Sequence, residues 1–134
     1  MMDSAALLFF QNHPGALPLY EAFLQALLNR VGPVEIRVQK TQITFSKGYN
    51  FACVSLLPVR RAKDRPRDYI TVTFGLDAQK QSPRIDAAVQ AAPNRWTHHV
   101  LIGSQAEIDQ ELLDWVAEAY TFAQRPRKRK TASD

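Results

Sequence analysis

Apolar residues recur along this chain with two different periods, and each change of period marks a new element. Tyr20, Phe23, Leu24, Leu27 and Leu28 fall at the spacing of one helical face. Pro18, whose missing amide costs nothing in a first turn, suits the start of a helix over 18–30, and Gly32 with Pro33 ends it. A shorter helix is predicted over 3–11, closed before Asn12, His13, Pro14 and Gly15. A period of two then takes over. Val34, Ile36 and Val38 alternate with Glu35, Arg37 and Gln39, which predicts a strand with one buried and one wet face. Ile43 and Phe45 resume the alternation with opposite parity, so the chain must turn or bulge within 39–42, and a tight hairpin turn is the expectation. Gly48 supplies a permissive backbone for a second turn over 46–50. Residues 51–57 are nearly all apolar and read as an interior strand. Ile70, Val72, Phe74 and Leu76 alternate with Thr71, Thr73 and Gly75 in a half-buried strand, and 96–102 forms the last one. The stretch 77–95 is weakly patterned, with a short element around 85–89.

Ser104 and Glu107 have the spacing of a capping box, in which hydroxyl and carboxylate each satisfy the other residue's free amide. They predict the start of a C-terminal helix whose stripe is Ile108, Leu112, Trp115, Val116, Ala119 and Ala123, stopped by Pro126. Asp109 and Glu111, two residues apart, should diverge on that helix. The predicted architecture is α+β in two layers: about five mostly antiparallel strands with two main amphipathic helices on one face. It forms one domain over 1–124, followed by a disordered basic tail over 125–134. Glu35, Arg37, Thr44, Thr71, Thr73 and His99 would lie on the uncovered face, as a wet surface open to a ligand, a partner or a second copy.

Charge changes this picture only locally. The net charge is +4. Arg125, Arg127, Lys128, Arg129 and Lys130 against Asp134 carry all of that excess, so residues 1–124 sum to zero. A second basic cluster, Arg60, Arg61, Lys63, Arg65 and Arg67 against Asp64 and Asp68, sits in the loop before the half-buried strand. Clustered cations on loop and tail point to weak, sequence-independent association with nucleic acid or another polyanion; solvated solubilising segments have the same composition.

Candidate chemistry is sparse. The single cysteine, Cys53, precludes an intramolecular disulfide and a cysteine zinc cluster, and its apolar setting suggests an inert buried thiol. His98 and His99 are adjacent in a strand, so they face opposite ways and cannot chelate one ion; no metal site and no cofactor are expected. His98 should cap the core edge and His99 should be exposed. Neither a nucleophile elbow nor a phosphate-binding glycine loop is present. Lys40 and Thr41 sit where the strand parity breaks, a place where sheets re-aim side chains, and together with Trp96 and His99 they are the candidate ligand-binding residues. No segment has the roughly 20 apolar residues of a membrane span, and the short apolar run 5–10 lacks the flanks of a signal sequence, so a cytoplasmic protein of bacterial type is expected.

One further set of residues narrows the class. Phe9 and Phe10 with Pro14, Leu19 to Glu21, Val38 to Phe45, Phe51 and Ala52, Trp96 to Val100, and Asp109 with Ala119 and Tyr120 resemble the bacterial family numbered 5655 among the domains of unknown function. The resemblance implies a domain found alone or attached to other modules, some of them nuclease-like, with no assigned activity and no catalytic residues to transfer. Three functional expectations follow. The first is a non-catalytic binding module that meets nucleic acid or another protein through loop and tail. The second is a small enzyme or small-molecule binder with a cleft near Lys40, Thr41 and Trp96. The third is a homodimer through the open sheet face.

Overall fold

The computed structural model describes residues 4–125. The elements in chain order are α1 (Ser4–Phe9), α2 (Leu17–Val31), β1 (Glu35–Val38), β2 (Gln42–Lys47), β3 (Tyr49–Ser55), β4 (Ile70–Leu76), β5 (Ala87–Ala92), β6 (Arg95–Ile102) and α3 (Gln110–Gln124). All strand pairs are antiparallel, in the order β1-β2-β3-β4-β6-β5. The class is therefore the α+β one that the alternation predicts, with six strands where five were expected. The extra strand, β5, extends the weak element around 85–89 as far as Ala92. It lies at the sheet margin with its residues largely exposed, so burial imposes no alternation on it.

The hairpins form where the sequence breaks its period. Gln39 N–H donates to Gln42 C=O at 2.8 Å and brackets Lys40 and Thr41, as the parity change requires. Gly48 turns β2 into β3 with φ +82°, a conformation glycine adopts without penalty. At the other margin β1 departs from expectation. Ile36 is 41% exposed instead of buried, because β1 is an edge strand with a neighbour on one side only, although Val38 still packs against the core.

One sheet face carries the core. Ile43, Phe45, Val54, Val72, Phe74 and Val100 are buried there, against Tyr20, Phe23 and Leu27 of α2 and Leu112, Trp115 and Val116 of α3. Aromatic rings knit the layers. Phe10, just beyond α1, lies 5.3 Å from Tyr20, which stacks on Phe45 at 6.5 Å, and Phe74 stacks on Trp115 at 6.0 Å. Each such side chain contributes roughly 1.5–3 kcal/mol by leaving water.

The start of α3 differs from the sequence expectation. Ser104 and Glu107 do form a capping box, but around a single 3-10 turn (Gln105–Glu107). The helix itself begins at Gln110, with Asp109 as its N-cap, and the Asp109 carboxylate accepts from Leu112 N–H at 3.1 Å. Asp109 and Glu111 do not diverge either. Both accept from Arg84 Nη1, at 2.7 and 3.1 Å, while Arg84 Nη2 donates to Glu107 C=O at 2.6 Å. Only one of the two acids is within the helix, so helical spacing did not apply to the pair.

Candidate functional site

The second sheet face was expected to be open and wet, but much of it is covered by the chain itself. The β3–β4 connection folds over it: Thr71 Oγ1 donates to Leu57 C=O at 2.7 Å, and Tyr69 Oη to Leu56 C=O at 2.9 Å. Arg60 anchors the same loop through Asp86 at 2.7 Å and through Leu101 C=O. Thr71 is thereby buried, as is Thr44, whose hydroxyl donates to Gln39 Oε1 at 2.6 Å and accepts from Gln42 Nε2 at 2.9 Å. Glu35 and Arg37 remain exposed on the edge strand β1.

What this loop leaves uncovered is a cleft of about 530 Å³. Its floor is a row of three residues placed side by side by strand register: Cys53 of β3, Thr73 of β4 and His99 of β6. Thr73 Oγ1 lies 2.8 Å from His99 Nδ1, and Cys53 stands opposite Thr73 in the register of β3 and β4. Burial pushes the Cys53 thiol above its ordinary pKa, against the smaller lowering effect of the Thr73 hydroxyl opposite it, and burial pushes the His99 imidazole below its own. Both groups are therefore neutral near pH 7. With the Thr73 hydroxyl donating to Nδ1, neutral His99 carries its proton on Nε2, and that N–H is left for a ligand. A thiol held in this form is a poor nucleophile, so the row offers hydrogen bonds rather than covalent chemistry.

The rim comes from the β1–β2 hairpin, with Lys40 and Thr41, and from Asn12 and His13 after α1. Among the described residues no carboxylate lines the cleft, and its ionisable groups are Lys40, His13, His99 and Cys53. Beyond Gln42, Cys53 and Thr73, which it shares with the cleft, a smaller cavity of about 190 Å³ runs towards Gly75 and the end of α3. Among the described residues it too lacks carboxylates, and it contains Arg95.

The structure thus brings Lys40, Thr41 and His99 together. His99 is half-buried in the cleft floor rather than exposed. Trp96 does not join them: it lies at the opposite parity in β6, in line with His98, and lines neither cavity. His98 is fully buried on the core side, stacked on Phe74 at 5.2 Å. Its Nε2 accepts from Lys80 N–H at 2.9 Å, and its Nδ1 has no partner among the described residues. Among those residues no three His, Cys, Asp or Glu side chains cluster as a metal site, and no helix is long and apolar enough to cross a membrane.

The basic loop is divided. Arg60 is tied down by Asp86 and Arg61 pairs with Asp64 at 3.3 Å, whereas Lys63, Arg65 and Arg67 have no acidic partner among the described residues. Arg125 is likewise engaged, with Asp77 at 3.0 Å and over the Phe122 ring at 5.3 Å. Arg127, Lys128, Arg129 and Lys130 lie outside the described residues. Sequence reasoning missed Thr73 as a bonding partner, Cys53 as a cleft residue and His13 as part of the rim. The only signal for the first two was strand register, which places 53, 73 and 99 in one row.

An antiparallel six-stranded sheet with α2 and α3 on one face and a polar cleft on the other defines a two-layer α+β domain. Residues 8–123 match the model of a domain of unknown function, DUF5655, and the chain belongs to that family. No curated protein and no solved structure matches it.

Proposed function

We propose that this domain is a binding module whose cleft takes a small phosphate-bearing or otherwise anionic molecule. The carrying observation is the composition of the cleft wall. Among the described residues no Asp or Glu contributes to this wall, yet Lys40 and His13 stand at the rim above the Thr73–His99 pair. An anion there meets a cation, hydroxyls, and the imidazole N–H, with no like charge to repel it. The neutral thiol and imidazole favour binding over covalent catalysis. Titration calorimetry with inorganic phosphate and with ribose 5-phosphate tests the reading. Lys40→Ala should weaken ribose 5-phosphate about fivefold, roughly 1 kcal/mol for one partly exposed charge-assisted contact, and Thr41→Glu should abolish binding. Absence of binding, or binding indifferent to both substitutions, would overturn it.

A second reading rests on Lys63, Arg65 and Arg67. These three cations without acidic partners lie in the loop that leaves the cleft at Leu57. They favour weak, sequence-independent association with nucleic acid, to which the tail cations would add.

A further inference from the structure

The smaller cavity assigns a second part to the ligand, and this inference rests on the anion-binding reading of the cleft. Gly75 interrupts a strand of β-branched and aromatic residues, Ile70 to Leu76. A glycine inside a strand marks a place where another group approaches the backbone closely. Here nothing in the protein takes up that space: a Cβ on Gly75 would have Trp96 C=O at 3.9 Å as its only neighbour within 4 Å. The bare backbone is the floor of the cavity. Phe122 of α3 forms one wall, with the Arg95 guanidinium 5.7 Å from its ring centre, and Asn50 lines the same cavity. Arg95 has no acidic partner among the described residues. A glycine-floored chamber with an aromatic wall, a guanidinium and an amide suits a planar heteroaromatic group, which stacks on rings and guanidinium planes while the amide reads its edge.

The two cavities share Gln42, Cys53 and Thr73, so they form one trough along the strands. Gln42 lies in the same row of the sheet as Ser55 and Thr71, four residues along β4 from Gly75. At ~3.3 Å per residue the trough therefore runs roughly 13 Å from the Lys40 end to the Gly75 end. We infer that the ligand is a mononucleotide-type molecule: a heteroaromatic base over Gly75, a sugar along Thr73 and His99, and a phosphate at Lys40 and His13. A glycine whose vacant side-chain space continues the anion cleft supplies this assignment.

The test compares AMP and CMP with ribose 5-phosphate, which lacks a base, by calorimetry on the full chain and on two filling variants. Gly75→Leu occupies the chamber floor, and Thr97→Ile, on the neighbouring strand position, narrows it from the side. Both must first show wild-type circular dichroism and melting. AMP should bind the wild type at least tenfold more tightly than ribose 5-phosphate. Either filling variant should erase that preference, while Lys40→Ala should weaken both ligands by a similar factor. If AMP and CMP bind no better than ribose 5-phosphate, or both filling variants keep the preference, the base chamber is wrong although the anion cleft stands. If ribose 5-phosphate also fails to bind, the cleft reading falls with it.

Discussion

Replacing Asp109 by alanine removes two interactions at the start of α3, and the structure sets the size of the loss. The carboxylate caps Leu112 N–H at 3.1 Å and accepts from Arg84 at 2.7 Å. A lost N-cap costs about 1 kcal/mol, and an exposed ion pair adds only about 0.5 kcal/mol once solvent screening is allowed for. With an unfolding entropy of about 2.1 cal/mol/K per residue, a domain of this length should lose roughly 5 °C in melting temperature for the combined ~1.5 kcal/mol. Ser104→Ala should lose less than about 1 kcal/mol, because its box closes a single 3-10 turn and not the helix. The deficit of Asp109→Ala should also depend on pH. Burial works to raise the Asp109 pKa, but the Arg84 and Leu112 contacts overcome it and hold the group below its usual value. A depressed carboxylate contributes its stability above the unfolded carboxylate range and loses it as pH falls through the folded value. The difference between wild type and Asp109→Ala should therefore be constant near neutrality and shrink below about pH 4. Thermal melts followed by circular dichroism at pH 7 and pH 3 measure both. Equal losses for Ser104→Ala and Asp109→Ala at pH 7 would refute this account of where α3 begins.

Other consequences can be checked singly. Burial lowers the His98 pKa, so stability should be level above about pH 6.5 and decline as pH falls towards the folded value; His98→Gln, which does not titrate, should flatten part of that decline in melting temperature measured from pH 7.5 to 5. Cys53, with its pKa raised by burial, should react with iodoacetamide more slowly at pH 7.5 than free glutathione does; faster reaction would contradict the neutral-thiol assignment. Neutralising Lys63, Arg65 and Arg67 together should reduce the slope of log K against log salt for duplex DNA by roughly 3, and an unchanged slope would remove the loop from any polyanion contact.

The sequence announced the skeleton because burial on one face enforces it. Ile70 to Leu76 and the α2 stripe show their periods openly, and the parity break at Lys40 and Thr41 located a real hairpin. Edges were harder: β1 and β5 are largely exposed, so Ile36 and Val89 obey no core requirement and carry no reliable pattern. The site was legible only in part. Lys40, Thr41 and His99 could be singled out by position, but the partners that make them a cleft come from strands distant in sequence. Cys53, Thr73 and His99 meet through register, and register across β3, β4 and β6 is fixed by three-dimensional packing that no local window contains. Trp96 stays apart from the cleft residues for the same reason, since its parity in β6 turns it away from them.

The anion cleft is the centre of this account, and amide chemical-shift mapping during a ribose 5-phosphate titration reaches it most directly. The perturbed amides should be those of His13, Lys40, Thr41, Thr73 and His99, with a new or shifted His99 side-chain N–H signal as Nε2 finds a partner. Perturbations confined to Lys63, Arg65 and Arg67, with the Thr73 and His99 signals unmoved, would place the anion on the exposed loop and contradict the cleft.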